Sequence, residues 1–196
     1  MFYSLLQTSY FYFMNTVEAG MLLVSDPFLN DPNFLRSVVL VCEHNADGSF
    51  GFVLNKRYSK SLNELIPDMN QIHFPVFCGG PVQLDTLHFL HIRPDLIDGG
   101  ISIIDNIHWG GNFEQVLELI KTKKITPRDI RFYIGYSGWT EGQLEDEIAE
   151  KTWILHLAET KFVFHLNVEM LWKDVLKDMG GDYKMMVNFP INPTLN

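Results

Sequence analysis

The sequence predicts a single α+β domain, and three observations carry that expectation. Strand-like apolar runs and amphipathic helical stretches are interleaved, but without the strict strand–helix–strand alternation of a parallel sheet. One continuous apolar run, residues 37–44, meets a second strand across a short polar turn, which makes a hairpin. The chain has 196 residues, 46% hydrophobic and 20% charged, which suits one domain whose core needs neither disulfides nor metals.

Taken in order, residues 20–25 read as a strand, followed by polar turns at Asp26-Pro27 and Asp31-Pro32. Residues 37–44, S-V-V-L-V-C-E-H, are apolar on both faces and read as a buried strand. Asn45-Ala46-Asp47-Gly48 has Asn first and Gly fourth, the pattern of a type I turn, and residues 49–55 are the return strand. With that turn, His44 pairs with Ser49 and Glu43 with Phe50. Strict alternation then puts Glu43 on the face of Val39 and Val41, and His44 on the face of Cys42. Asn55 falls about 20 Å from His44 at strand rise.

Ser61-Leu62-Asn63-Glu64 is a capping box that starts a short helix. Residues 75–78 form a short strand ending at Gly79-Gly80-Pro81, and residues 87–92 and 101–104 are further strands. Asn112 caps a helix to about Thr122, with Phe113, Val116, Leu117 and Ile120 on one face. Residues 130–136 are a strand. Thr140 with Gln143 is a second capping box, opening a helix to about Lys151. Residues 153–158 and 162–165 read as strands, and 168–179 as a helix stopped by Gly180-Gly181.

The formal charge is −9, from 15 Lys and Arg against 24 Asp and Glu. Binding nucleic acid takes a basic stripe, and only Lys121, Lys123 and Lys124, with a looser group at Lys56, Arg57 and Lys60, approach one. Neither group is interleaved with aromatics, so direct nucleic-acid binding is not expected. The two cysteines are too few for a disulfide scaffold. Cys42, inside a valine-rich run, reads as a buried free thiol, which points to a reducing, cytoplasmic setting. The first charged side chain is Glu18. The segment before it lacks a basic leader and carries too many polar residues for a membrane span. Residues 1–17 are expected to be a tail, with 1–13 dispensable, residues 18–187 the domain, and 188–196 a C-terminal tail.

No H-E-x-x-H, C-x-x-C, G-x-S-x-G, P-loop or dinucleotide fingerprint occurs, so no metal or cofactor is expected. His88 and His91, three apart on a strand, point to opposite faces. Cys42 and His44 share a face on strict alternation and are the one candidate pair for a metal, with Cys78. Gly79-Gly80-Pro81 reads as a strained turn or as an anion nest. Glu43 and Asn45 are candidates either for acid–base work beside His44 or for capping the turn backbone. Arg36, entering a buried strand, is expected to find a carboxylate.

These residues resemble the YqgE/AlgH family of bacterial proteins over about residues 18–182. The resemblance rests on Asp31-Pro32-Asn33-Phe34, Arg36-Ser37-Val38-Val39, and Cys42-Glu43-His44-Asn45 with Gly48, Gly51 and Asn55. It continues through Gly79-Gly80-Pro81-Val82, Gly135-Tyr136-Ser137-Gly138-Trp139, Gly142-Gln143-Leu144-Glu145, Glu147 and Trp153. Arg57 departs from the family's usual proline. The resemblance implies a bent sheet, mixed or antiparallel, curled into a pseudo-barrel with flanking helices, and no established activity. Some members carry the label of transcriptional regulator.

Three functions follow as hypotheses. The first is a non-enzymatic binding or regulatory module for a protein or small-ligand partner. Its candidate surface is Glu43, His44, Asn45, Asn55, Gly79, Gly80, Tyr136, Trp139, Gln143, Glu145 and Glu147. The second is an enzyme of unknown class using Glu43, Glu145 or Glu147. The third, a DNA-binding regulator, is opposed by the charge and by the lack of a helix-turn-helix signal. Helical phase puts Leu144 and Ile148 on the core stripe, with Glu145 and Glu147 at its edges and more buried than Asp146 and Glu150.

Overall fold

The computed structural model describes residues 16–69 and 73–190. Its strands are β1 Met21–Ser25, β2 Val38–Asn45, β3 Gly48–Val53, β4 Val76–Cys78, β5 Val82–His91, β6 Ile101–Ile104, β7 Ile107–Trp109, β8 Ile130–Thr140 and β9 Trp153–Leu157. Its helices are α1 Leu62–Leu65, α2 Phe113–Lys121, α3 Gln143–Ala149, α4 Thr160–Val163, α5 Leu171–Met179 and α6 Tyr183–Met186. The strands join into one curled sheet in the order β6-β7-β5-β8-β3-β2-β1-β9, with β4 added parallel to β8 and every other pairing antiparallel.

The apolar run of β2 is buried on both faces because the sheet is covered on both. Leu22, Val24, Leu40 and Phe52 pack on Leu171, Trp172, Val175 and Leu176 of α5. The Trp172 indole donates to the Ser25 carbonyl at 2.9 Å. Leu23, Val39, Val41 and Val53 pack instead on Trp139, Leu144 and Trp153. A third cluster, with Val116 and Ile120 of α2, covers Phe89, Phe132 and Ile134. Burying such side chains contributes about 1.5–3 kcal/mol each, so the three clusters hold the sheet's curvature.

β8 is the strand that ties the sheet together. Its first half pairs with β5 and β4, and its second half with β3. The switch falls at Gly135, whose φ is +65°, and a Cβ there would meet the Val82 and Gly80 carbonyls at 2.7 and 2.8 Å. Only glycine fits both demands.

Several expectations hold. The hairpin register is His44 opposite Ser49 and Glu43 opposite Phe50. Glu64 accepts from the Ser61 N–H at 2.8 Å, and Asn112 from the Gln115 N–H at 3.1 Å. Others are corrected. Residues 162–165, expected as a strand, instead form the end of α4 and its exit, because Phe162 and Val163 both donate to the Glu159 carbonyl. A short apolar run carries no period, and here every side wraps the core. α3 starts at Gln143 rather than Thr140, with Gly142 in the left-handed conformation as its N-cap. β5 begins five residues earlier than expected, at Val82, and β8 runs four further, to Thr140. β7 carried no sequence signal beyond three residues.

A bulge at Cys42 corrects the face assignment in the hairpin. Val41 faces Gly51 and Glu43 faces Phe50, so Cys42 is an extra residue on β2. Alternation resets there. His44 therefore lies on the side of Val39 and Val41, away from Cys42, and a shared metal with Cys42 is ruled out. Among the described residues Arg36 pairs with no carboxylate. It donates to the Phe189 carbonyl and lies over the Trp172 ring, 4.9 Å from its centroid. Phe189 also stacks on Phe28 at 5.4 Å, and Val17 is 3% exposed. The dispensable segment expected at 1–13 lies outside the described residues.

Candidate functional site

The motif residues that the fold does bring together meet at the C-terminal end of β8. There Trp139 is 6% exposed and Trp153, at the start of β9, is 3% exposed. Both indoles face Glu147 of α3. Glu147 Oε2 accepts from Trp139 Nε1 at 2.9 Å and from Trp153 Nε1 at 2.7 Å, while Oε1 accepts from Gln143 Nε2 at 2.9 Å. Gln143 Oε1 in turn accepts from the Thr140 N–H and hydroxyl at 3.1 and 3.2 Å, which ties the helix start back to β8. The two indole rings pack edge to face at 6.1 Å, and Phe34 contacts both, at 6.3 and 5.4 Å. A carboxylate with donors on both oxygens is a strong junction.

Beside this junction lies a polar rim. His44 Nδ1 is 2.8 Å from Ser49 Oγ, and His44 Nε2 is 3.6 Å from Glu145 Oε1. Ser49 pairs with Trp139 across β3 and β8, so the rim rests directly on the junction. Glu147 is half-buried as expected, but Glu145 is exposed, like Asp146 and Glu150. The α3 start at Gln143 and the short helix leave Glu145 over the His44 edge rather than beside the core.

The remaining predicted residues lie elsewhere. Glu43 and Asn45 are at the hairpin tip. Asn45 Nδ2 donates to Glu43 Oε1 at 2.7 Å and its Oδ1 accepts from the Asp47 N–H at 2.8 Å, so Asn45 does cap the turn. Asn55 stitches the far end of the hairpin, accepting from the Val38 N–H at 3.0 Å and donating to the Arg36 carbonyl at 2.9 Å. Gly79 donates to the Ile134 carbonyl, and its own carbonyl accepts from Val53 N–H and the Ser137 hydroxyl. A Cβ on Gly79 would meet the Gly135 carbonyl at 2.3 Å, and one on Gly80 the Tyr136 carbonyl at 2.3 Å. These glycines permit close crossing of β4 over β8; the Gly79 N–H is taken and does not serve a nest. Tyr136 sits in an aromatic group, 5.1 Å from Phe50 and 6.0 Å from His88.

Sequence reasoning quoted Trp153 and Phe34 but did not place them in the site, because strand and loop spacing do not reveal convergence on one carboxylate. It also missed a cluster of His156, Glu159 and Asp178, whose ligand atoms lie within 4.8 Å of one another. The Lys161 ammonium sits there, 2.9 Å from both carboxylates, and occupies the position a cation would take. Among the described residues, no helix is long and apolar enough to cross a membrane.

The AlgH-like family model matches residues 22–184. A Chlorobium limicola protein called UPF0301 is 44% identical over 180 residues, covering 92% of this chain and 96% of its own. A Cytophaga hutchinsonii protein of the same name is 42% identical over 179 residues, covering 90% and 98%. Among solved structures, a Corynebacterium diphtheriae protein superposes with a TM-score of 0.75 at 22% identity, over 89% of this chain and 94% of that one. The solution structure of the AlgH protein from Pseudomonas aeruginosa gives 0.68 at 25% identity, over 88% and 94%.

Proposed function

The chain belongs to the AlgH-like family, and from that premise we propose that it is a non-enzymatic binding or regulatory module, working in the cytoplasm through a protein or small-ligand partner. The observation that carries this reading is the Glu147 junction. Its carboxylate takes two buried indoles and a glutamine, so its oxygens are already occupied as structural acceptors. The motif residues then build a stiff platform, and the exposed rim of His44 and Glu145 above it is the surface offered to a partner.

The test is co-purification of the full chain at native levels, with mass spectrometry for retained proteins and small molecules. A stoichiometric companion lost in His44→Ala and Glu145→Ala, with an unchanged melt, is the expected result. Loss of the companion in Glu147→Gln without a change in melting would instead make Glu147 a ligand contact.

A second reading has one observation in its favour. Ser49, His44 and Glu145 follow one another at 2.8 and 3.6 Å, the order of nucleophile, base and orienting acid. Ser49 is 7% exposed, which keeps its hydroxyl from a substrate carbonyl. Labelling of Ser49 by a fluorophosphonate, abolished in Ser49→Ala, would replace the binding reading with a hydrolytic one.

A further inference from the structure

At the N-terminal end of β8 the chain buries a cation with no anion. Arg131 is 6% exposed. Its guanidinium lies 5.1 Å from the Phe77 ring centroid and 5.8 Å from that of Phe164, and Nη2 donates to the His165 carbonyl. Nη1 is buried and has only the Tyr133 hydroxyl, close by on the same strand, beside it, and the two form no hydrogen bond of good geometry. Burial raises the Tyr133 pKa, so the phenol is neutral and supplies no counter-charge. Among the described residues no carboxylate pairs with Arg131. Asp129, the acid nearest in sequence, is committed to Thr126 and Arg93. Burial lowers the Arg131 pKa, the neighbouring Tyr133 hydroxyl offsets part of that, and the charge of Arg57 adds a smaller lowering. An isolated buried cation is costly unless something neutralises it.

A cleft of about 550 Å³ opens over this residue. Arg57 and Arg128 stand exposed on its rim, Arg131 lies in its wall, and among the described residues none that lines it is acidic. On a chain of net charge −9, three guanidinium groups without a carboxylate among them run against the overall field. The rest of the lining is mostly apolar, with Phe77 and Val168 buried and Leu166 73% exposed. Planar guanidinium forks match carboxylate and phosphate oxygens, and an apolar wall of this size suits the body of a small molecule.

We infer that this cleft binds a small organic anion, with its carboxylate or phosphate head between Arg57 and Arg128 above the buried charge of Arg131, and its apolar body along Phe77, Leu166 and Val168. Arg131 supplies field rather than direct contact, since its free nitrogen is covered; Arg57 and Arg128 supply the hydrogen bonds. The site lies at the opposite end of β8 from the Glu147 junction. It goes beyond the partner reading above, and its failure would leave that reading standing.

The test is calorimetric titration of the full chain with decanoate, decyl phosphate and decanol at low and high salt. Decanoate or decyl phosphate should bind saturably at one site, at least tenfold more tightly than decanol, and more weakly at high salt. Whichever of the two binds better identifies the head. Arg57→Ala with Arg128→Ala, whose melting is read alongside because Arg57 also lies 5.7 Å from the Phe77 ring centroid, should weaken anion binding at least tenfold. Arg131→Met should keep the fold and reduce the preference for the anion over decanol. Equal binding of decanol, binding undiminished in the double variant, or no saturable binding of either anion at millimolar concentration would each overturn the proposal.

Discussion

The two ends of β8 solve the same problem in opposite ways. At Trp139, two buried donors and a glutamine converge on one carboxylate, and every polar atom named there has a partner. At Arg131, a buried guanidinium has a carbonyl and two aromatic faces but no anion, and one nitrogen is left over. A satisfied polar junction stabilises the fold that contains it; an unsatisfied one costs stability unless something outside the chain completes it. The difference separates a carboxylate whose donors are all in place from a guanidinium whose charge has no acid beside it among the described residues.

The largest expected effect tests the satisfied end. Glu147→Ala leaves two indole N–H groups, on residues 6% and 3% exposed, without an acceptor. At about 1–3 kcal/mol for each unsatisfied donor, the loss should be about 2–6 kcal/mol. For a chain of this size the middle of that range lowers Tm by roughly 10–15 °C. Glu147→Gln keeps one acceptor oxygen and should lose about half as much. Thermal denaturation reads both, and an unchanged Tm in Glu147→Ala would erase the contrast.

The next effect comes from acid, at the Arg131 end. His91, paired with Ile130 and fully buried, accepts from the Arg93 N–H at Nδ1, which fixes its Nε2 as donor to the Gly110 carbonyl. Burial first, and then His108, lower its pKa from 6.5 to about 4, against a smaller opposing effect of the Gly110 bond. The unfolded chain therefore takes the proton first. Stability from this residue is complete above pH 6.5 and is lost as pH falls from 6.5 towards about 4. The loss is up to about 3 kcal/mol. Urea denaturation across that window should show the decline, and His91→Gln should flatten it in part. Burial lowers His88 and His156 too, so some slope remains.

Smaller still is the change expected for Arg131→Met in the unliganded chain, about 1 kcal/mol or less in either direction, because an apolar replacement removes the uncompensated charge along with its contacts. A loss comparable to that of Glu147→Ala would make Arg131 an architectural residue as well. The smallest effect belongs to Glu145→Gln. Its carboxylate is 52% exposed and 3.6 Å from His44, so stability should move by less than about 0.5 kcal/mol. Glu145 and Glu147 lie on one short helix, and the ratio of their effects measures how much the junction owes to burial and paired donors.

The hairpin, its register, the Ser61 and Asn112 caps and the apolar face of α2 were legible in the sequence, since each rests on contacts within a few residues. The 162–165 segment was misread because four apolar residues carry no period. The faces of Glu43 and His44 were misread because a bulge leaves no local mark. Of the candidate site, Trp139, Gln143 and Glu147 do meet, with His44 and Glu145 beside them. Asn55, Gly79 and Gly80 serve the backbone elsewhere.

By itself the sequence determined the α+β class and the order of most elements, because local pattern and composition are properties of the chain. Tertiary structure alone decided which donors find Glu147 and that Arg131 finds no acid. Trp139 and Trp153 are brought to one carboxylate by α3 turning back between β8 and β9, and the Arg131 cleft is closed by residues as distant as Arg57 and Leu166. Whether a buried charge is answered depends on which segments the fold lays over it, and that is settled by packing across the chain rather than by neighbours along it.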